Sequence, residues 1–159
     1  MVRQKGGASS QGAAEQERDA GRRSALTALF EGEYGLRSPG DVLERRAARG
    51  EIDGGELEFA RSLLTIVATH RPELDALIAR LAPAFPLSTM TRIDRSMLRG
   101  SLGEVLHSRA ATSAEAIAAW TALARTYSGE PARKLVNGVL GTAYRERSDQ
   151  AKTEGAKND

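Results

Sequence analysis

Two side chains in this sequence could exchange protons near neutral pH, and these are His70 and His107. Both fall at predicted helix ends, where an imidazole more often serves as a cap that suits the helix dipole than as a catalyst. Asp94 and Glu104 would lie about 15 Å apart along one predicted helix, too far for a concerted pair of carboxylates. The sequence has no zinc-protease, phosphate-loop or dinucleotide motif. We therefore predict no enzymatic activity, no cofactor and no metal site.

Two clusters of basic residues remain as candidates for function. Arg22 and Arg23 open the first predicted helix, and Arg18 precedes them in a polar segment. A flexible basic arm of this kind can become ordered on RNA. Arg133 and Lys134 fall in the first turn of the last predicted helix, where cations oppose the helix dipole, so an external anion is indicated there. An ordinary solvated surface is the alternative for both clusters.

Composition narrows the class of protein. The chain of 159 residues is long enough for one domain or two small bundles, and 40% hydrophobic with 4% aromatic residues predicts an aliphatic core. The absence of cysteine excludes disulfides and thiolate chemistry. No apolar run approaches the roughly 20 residues of a membrane span, and no signal-peptide segment is present. The chain is rich in arginine at a net charge of +2, and this composition is compatible with a polyanionic partner. The arginine codons favoured by a GC-rich genome would explain the same enrichment. We predict a soluble cytoplasmic protein without membrane contact.

Helical periodicity predicts an all-α fold of six or seven helices in two packed subdomains. Residues 1–20 are expected to form a disordered basic tail, residues 21–147 the helical domain, and residues 148–159 a flexible C-terminal tail. Within the domain, subdomains are expected at about 21–84 and 87–147, on either side of a proline-containing break.

Capping residues and prolines predict where several helices begin. Ser38 and Pro39 are typical of a helix start, and Thr112 to Glu115 forms a capping box. Pro72 either kinks a long helix or begins a new one.

A helix over residues 92–107 is predicted to be the central element, because its wide apolar stripe requires neighbours on several sides. Gly100 and Gly103 cost about 1 kcal/mol each relative to Ala, so close approach of another helix is expected to offset them. Arg95 and Arg99 stand four residues apart and would repel each other, so we expect acidic partners on other helices.

Four segments of the sequence resemble the NusB family of transcription antitermination factors. They are RRSALTALF at residues 22–30, HRPELD at 70–75, R-x-D-R-x-x-L-R at 92–99 and KLVNGVL at 134–140. The last is similar to the family's Lys-Phe-Val-Asn-Gly-Val-Leu segment. The four occur in order and at suitable spacing from about Arg22 to Arg145.

The resemblance implies a NusB-like fold of two helical subdomains and no catalysis. It also implies binding of boxA RNA together with NusE, a small-subunit ribosomal protein, within the RNA polymerase antitermination complex that reads through ribosomal RNA operons. Residues expected at the RNA are Arg18, Arg22, Arg23, Glu130, Pro131, Arg133, Lys134 and Leu135. Residues expected to be structural are Asp94, Arg95, Arg99, Asn137 and Gly138; we interpret Asn137 as a buried amide and Gly138 as a site of close helix packing.

Some positions depart from the family pattern. Pro131 and Leu135 replace the family's usual residues at positions where contact with RNA or NusE is expected. Trp120 is larger than the residue usual in the family, which indicates a repacked core. A second hypothesis is therefore a protein-interaction module of the same fold, which binds NusE or itself without sequence-specific RNA recognition. The RNA-binding domain of a fused methyltransferase is a third, disfavoured by the polar C-terminal tail. RNA sequence preference, the need for NusE and homodimerisation stay open.

Overall fold

The computed structural model describes residues 6–158, with the side chains of residues 10–158, and within this part of the chain six helices form the fold. They are α1 (Gly6–Gly32), α2 (Pro39–Ala48), α3 (Gly54–Leu81), α4 (Arg92–His107), α5 (Ser113–Ser128) and α6 (Glu130–Lys157). No strand occurs among these residues. The predicted all-α class is confirmed.

The helices fall into two compact units that divide between Leu64 and Thr65, inside α3. The boundary predicted near residues 84–87 instead lies in the loop between α3 and α4, within the second unit. The prediction assumed that the proline-containing loop after α3 separates the subdomains. The division instead falls inside α3, which continues through Pro72 as one helix and contributes residues to both units. Of the two alternatives at Pro72, a new helix is therefore excluded.

The first unit is built from α1, α2 and the beginning of α3. Ser38 caps α2 as predicted: its Oγ accepts a hydrogen bond from Asp41 N at 3.1 Å, and Pro39 follows at the first helical position. Gly50 has a φ of +73°, a conformation that glycine adopts without strain, just after α2 ends. The buried apolar residues of this unit are Ala25, Leu26, Ala28, Leu29, Val42, Leu43, Ile52, Phe59, Ala60, Leu63 and Leu64.

The second unit surrounds α4, which packs against both α5 and α6. Thr91 and Thr112 cap α4 and α5, each accepting a hydrogen bond from the amide three residues later, at 3.2 and 3.1 Å. Trp120 is fully buried, in agreement with the interpretation that it fills the core. Other fully buried side chains of this unit are Leu74, Ile78, Met97, Leu98, Leu102 and Leu140.

The predicted bounds and central position of α4 are confirmed. A Cβ at Gly103 would lie 3.1 Å from Ile66 Cγ2, so the expected close approach occurs at this glycine. The buried Arg99 donates to both carboxylate oxygens of Asp75 on α3, at 2.7 and 3.1 Å, as the prediction of acidic partners requires. Arg95 donates to two main-chain carbonyls, those of Leu87 and Met90, at 2.7 and 3.0 Å.

Asp94, the remaining structural prediction on α4, is half-buried in the first turn. Its main-chain amide donates to the Thr91 hydroxyl, and its Oδ1 is buried without a hydrogen-bond partner among the described residues.

Both segments expected to be unstructured are helical where the structure describes them. Helix α1 begins at Gly6, so residues 6–20 differ from the predicted disordered tail, whereas residues 1–5 lie outside the described residues. Residues such as Ala14 and Gln16 are good helix formers, and the Glu17 carboxylate lies against Gly55 at the start of α3. Helix α6 likewise continues through residues 148–157 without a helix breaker, although from residue 151 these positions are exposed.

Candidate nucleic-acid interface

Arg22 is buried, with 0% of its surface exposed, although the sequence predicted it at the RNA. Its Nη1 donates to Asp19 Oδ1 at 2.7 Å, and its guanidinium carbon lies 5.3 Å from the centre of the Phe59 ring. Gly21 permits this arrangement, because a Cβ there would lie 2.8 Å from Phe59 Cδ1. Arg22 is thus part of the packing between α1 and α3. Direct contact with RNA would require the guanidinium to leave this site.

Arg23, the next residue, has the opposite environment. It is exposed on α1, and no described residue forms a hydrogen bond or ion pair with its guanidinium. Arg18 lies on the same helix and is half-buried. The α1 arginines that reach solvent are therefore Arg23 and, in part, Arg18.

The first unit also contains an arginine cluster, which was not among the predicted site residues. Arg37, Arg45, Arg46 and Arg49 line a cleft of about 260 Å³ together with Glu31 and Glu51. Glu51 holds two of them, Arg46 at 3.2 Å and Arg49 at 3.8 Å. The close spacing of Arg45 and Arg46 at the end of α2 and Arg49 at its C-cap was the available signal, and a nearby anion would meet several guanidinium groups here.

Helix α6 begins with a carboxylate that neutralises one of the two predicted cations. Arg133 Nε donates to both oxygens of Glu130, at 2.9 and 2.7 Å. This hydrogen bond lowers the pKa of the Glu130 carboxyl below its ordinary value and raises the pKa of Arg133. The pair is therefore present at neutral pH and is lost only as pH falls through the lowered pKa of Glu130. Since Glu130 offsets the cation at this helix start, Arg133 alone no longer indicates an external anion.

Lys134 is exposed and forms no salt bridge or hydrogen bond with the described residues. The N-terminus of α6 beside it carries no side-chain cap, because Gly129 occupies the capping position with a φ of +89°. Leu135, also predicted at the RNA, is half-buried. We use the name α6 patch for the surface formed by Glu130, Arg133, Lys134, Asn137 and Gly138, which lie on one side of α6.

The structural roles predicted for Asn137 and Gly138 are wrong. Asn137 is exposed, so its amide is not buried against a neighbouring helix. Gly138 is also exposed, and a Cβ built on it would meet nothing within 4 Å. The resemblance alone could not separate core from surface here. The spacing could have done so, since the buried residues Val136, Val139 and Leu140 occupy the opposite side of the helix.

Of the two histidines predicted at helix ends, only His107 lies at one. His107 is the last residue of α4, but His70 lies inside α3 rather than at a helix end. Their rings stack on each other beside Glu73. Sequence reasoning missed this cluster, although His70 and Glu73 stand at helical i, i+3 spacing.

No helix among the described residues is long and apolar enough to cross a membrane.

Comparison with known proteins gives one consistent answer. The family model of the "NusB family" matches residues 19–145. A "Transcription antitermination protein NusB" from Symbiobacterium thermophilum is 31% identical over 78% of this chain and 86% of its own length. Another from Roseiflexus castenholzii is 35% identical over 80% of this chain and 93% of its length.

A solved structure described as antitermination factors NusB and NusE in complex with dsRNA has a similar fold. It superposes with a TM-score of 0.73 at 21% identity and covers 82% of this chain and 98% of its own. The matched span agrees with the segments that carry the sequence resemblance. This chain belongs to the NusB family.

Proposed function

We propose that this protein is a transcription antitermination factor that binds boxA-type RNA together with NusE and supports transcription of ribosomal RNA operons. Relatives that share about a third of its residues are named transcription antitermination proteins. The solved complex of similar fold contains NusB, NusE and RNA. The role requires binding and no catalysis, and a factor that acts on nascent RNA would be cytoplasmic.

The observation that carries the proposal is the exposed α6 patch. Three of its residues, Lys134, Asn137 and Gly138, belong to the 134–140 segment that resembles the family, yet they contribute nothing to the core of this chain. A cation, an amide and an open glycine on one helix face offer a phosphate contact, a hydrogen-bonding group and room for close approach. This combination suits a polar polyanion better than an apolar partner.

Gly138 supports the proposal independently of charge. Glycine inside a helix costs about 0.5–1 kcal/mol relative to Ala, and close packing usually offsets that cost. At Gly138 nothing in the described chain approaches within 4 Å. We infer that the packing partner belongs to another molecule, either RNA backbone or NusE.

The first unit contributes phosphate contacts through Arg23, with Arg18 five residues earlier on α1. Arg23 is exposed without an ion-pair partner among the described residues, which keeps its charge available. We assign Arg22 a positioning role, because its guanidinium is held against Asp19 and Phe59. The predicted RNA contact at Arg22 is therefore replaced by an indirect role, in which Arg22 fixes the helix that presents Arg23.

The second hypothesis, a protein-interaction module without RNA readout, keeps one supporting observation. Glu130 already neutralises Arg133, which leaves the α6 patch less basic than its sequence suggests. Under this hypothesis the patch binds NusE or a second copy of the chain.

A binding experiment distinguishes the two hypotheses. We would measure fluorescence anisotropy of a labelled boxA RNA and of a scrambled RNA, each with and without NusE, at about 0.1 M salt. The antitermination factor is supported by tighter binding to boxA than to the scrambled RNA, strengthened by NusE and weakened by Lys134→Ala. Binding of NusE with no preference between the two RNAs contradicts it and supports the interaction module.

A further inference from the structure

The only two histidines of the chain lie side by side, although they come from different helices. The ring centres of His70 on α3 and His107 on α4 are 3.6 Å apart, and the ring planes differ by 3°. Glu73 spans the pair: its two carboxylate oxygens lie 3.2 Å from His70 Nδ1 and 3.2 Å from His107 Nε2. All three side chains belong to the second unit.

We propose that His70, Glu73 and His107 form a binding site for a divalent transition-metal ion of the Zn²⁺ class. One donor atom from each residue lies within 4.8 Å of the other two. Around a tetrahedral zinc with bonds of about 2.0–2.1 Å, donor atoms stand roughly 3.4 Å apart. The donor atoms therefore have to approach one another by at most about 1.4 Å, which side-chain rotation can provide.

The types of ligand atom in the cluster indicate which class of metal ion it would bind. Two imidazole nitrogens and one carboxylate oxygen suit Zn²⁺, Ni²⁺ or Cu²⁺, whereas Mg²⁺ and Ca²⁺ prefer oxygen ligands alone. The side chains of His70 and His107 are 32% and 23% exposed, and that of Glu73 is 55% exposed. An ion can therefore reach the cluster from solvent and keep water in its remaining coordination position.

Binding requires a defined rearrangement of the rings. The lone pairs of the two imidazoles lie in their ring planes, and parallel planes do not converge on one ion. The stack must open into a wedge, and the proton on each coordinating nitrogen must move to the other ring nitrogen or to solvent. In return, the ion replaces two hydrogen bonds to a single carboxylate with three coordination bonds.

Neighbouring charges leave the Glu73 carboxylate available. Arg80 pairs with Glu146 at 2.6 Å, and Arg71 lies 3.7 Å from Asp75. Arg147 Nη1 donates to the carbonyls of Val105 and Leu106, at 2.7 and 2.8 Å. Within the described residues, Glu73 has no hydrogen bond or ion pair apart from those to the two histidines. His107 also ends α4, where the helix dipole favours a cation.

The test is a titration of the untagged full chain with ZnCl₂ by calorimetry, because a polyhistidine tag would itself bind the metal. We expect one zinc per chain. His107→Gln and His70→Gln should each weaken binding by at least about tenfold, since even residues that only orient ligands cost 10–100-fold. Glu44→Gln removes a surface carboxylate of the first unit, one paired with Arg61, and should leave zinc affinity unchanged.

A second readout separates coordination from unspecific binding. Co²⁺ bound by the wild-type chain should give the visible absorption of a low-coordinate nitrogen and oxygen site, and His107→Gln should abolish it. Circular dichroism of both histidine variants checks their fold, and either variant suffices if the other unfolds. Equal zinc affinity in wild type and the folded variants would overturn the proposal, as would one zinc per two chains. The site is independent of RNA binding, so its failure leaves the proposed function intact.

Discussion

Two pairs of adjacent cations, Arg22–Arg23 on α1 and Arg133–Lys134 on α6, have the same local arrangement in different surroundings. In each pair the first cation binds a carboxylate three residues earlier, Asp19 or Glu130, at 2.7 Å. In each pair the second cation is exposed and lacks an ion-pair partner among the described residues. The proposed phosphate contacts are thus the second member of each pair.

Burial is where the two pairs differ. The Arg22 side chain is 0% exposed and lies over the Phe59 ring, whereas the Arg133 side chain is 31% exposed. An ion pair at the surface contributes little to stability, but an arginine enclosed by its own fold cannot be removed without leaving a cavity and an altered charge balance. The same sequence pattern is therefore structural at one site and an adjustable surface charge at the other.

The largest expected effect comes from Arg22→Ala. It removes the contact with Phe59 and the hydrogen bond to Asp19 and leaves a cavity, so we expect the free energy of unfolding to fall by about 2–4 kcal/mol. Urea denaturation measures this change. Arg23→Ala is the matched control on the same helix and should change stability by less than about 0.5 kcal/mol.

Arg22→Met sharpens the test, because it restores apolar volume without the charge. If Arg22 is a positioning residue, the methionine variant should recover part of the lost stability and bind RNA nearly as well as wild type. A folded Arg22→Met variant with a reduced salt dependence of RNA binding would instead show that Arg22 contacts phosphate, and the contrast between the two pairs would fail.

The next largest effect is on RNA affinity. Each phosphate contact of a single strand contributes about 0.7 to the slope of log affinity against log salt, or roughly fivefold at 0.1 M salt. We expect Arg23→Ala and Lys134→Ala each to weaken binding by about that factor and to lower the slope by about one contact. Anisotropy titrations at several salt concentrations measure both quantities. Equal slopes in wild type and variants would exclude phosphate contact at these positions.

Much of the fold followed from local chemistry in the sequence. The bounds of α4 and the caps at Ser38 and Thr112 depend on interactions within a few residues, which a sequence displays directly. The ion pair of Arg99 was also predictable in kind, because two cations four residues apart need compensation.

What could not be predicted depends on contacts between distant residues. Whether Arg22 or Arg23 faces Phe59 depends on how α1 rotates against α3, and the polar sequence before Arg18 gave no sign of the contact between Glu17 and Gly55. Asn137 was assigned to the core from resemblance alone, although it lies on the exposed side of α6. The meeting of His70 and His107 is likewise a property of the packed helices.

Gly138→Ala tests whether the α6 patch is a contact surface. The added Cβ meets nothing within 4 Å and removes the conformational cost of glycine, so stability should rise by about 0.5–1 kcal/mol. RNA or NusE binding should nevertheless weaken if either molecule packs closely on this glycine. Thermal unfolding and anisotropy measure the two effects separately. A variant that is more stable and binds both partners as well as wild type would remove Gly138 from the interface.

The smallest expected effect distinguishes the two cation pairs most directly. Glu130→Gln removes the carboxylate that occupies Arg133, so Arg133 becomes available to phosphate and RNA affinity should rise by roughly two- to threefold at low salt. Stability should change little, because the pair lies at the surface. The equivalent change on α1, Asp19→Asn, should not raise RNA affinity, because burial still holds Arg22 against Phe59. An equal gain from both variants would mean that Arg22 is as free to reach RNA as Arg133. The carboxylates, rather than burial, would then determine which cation binds.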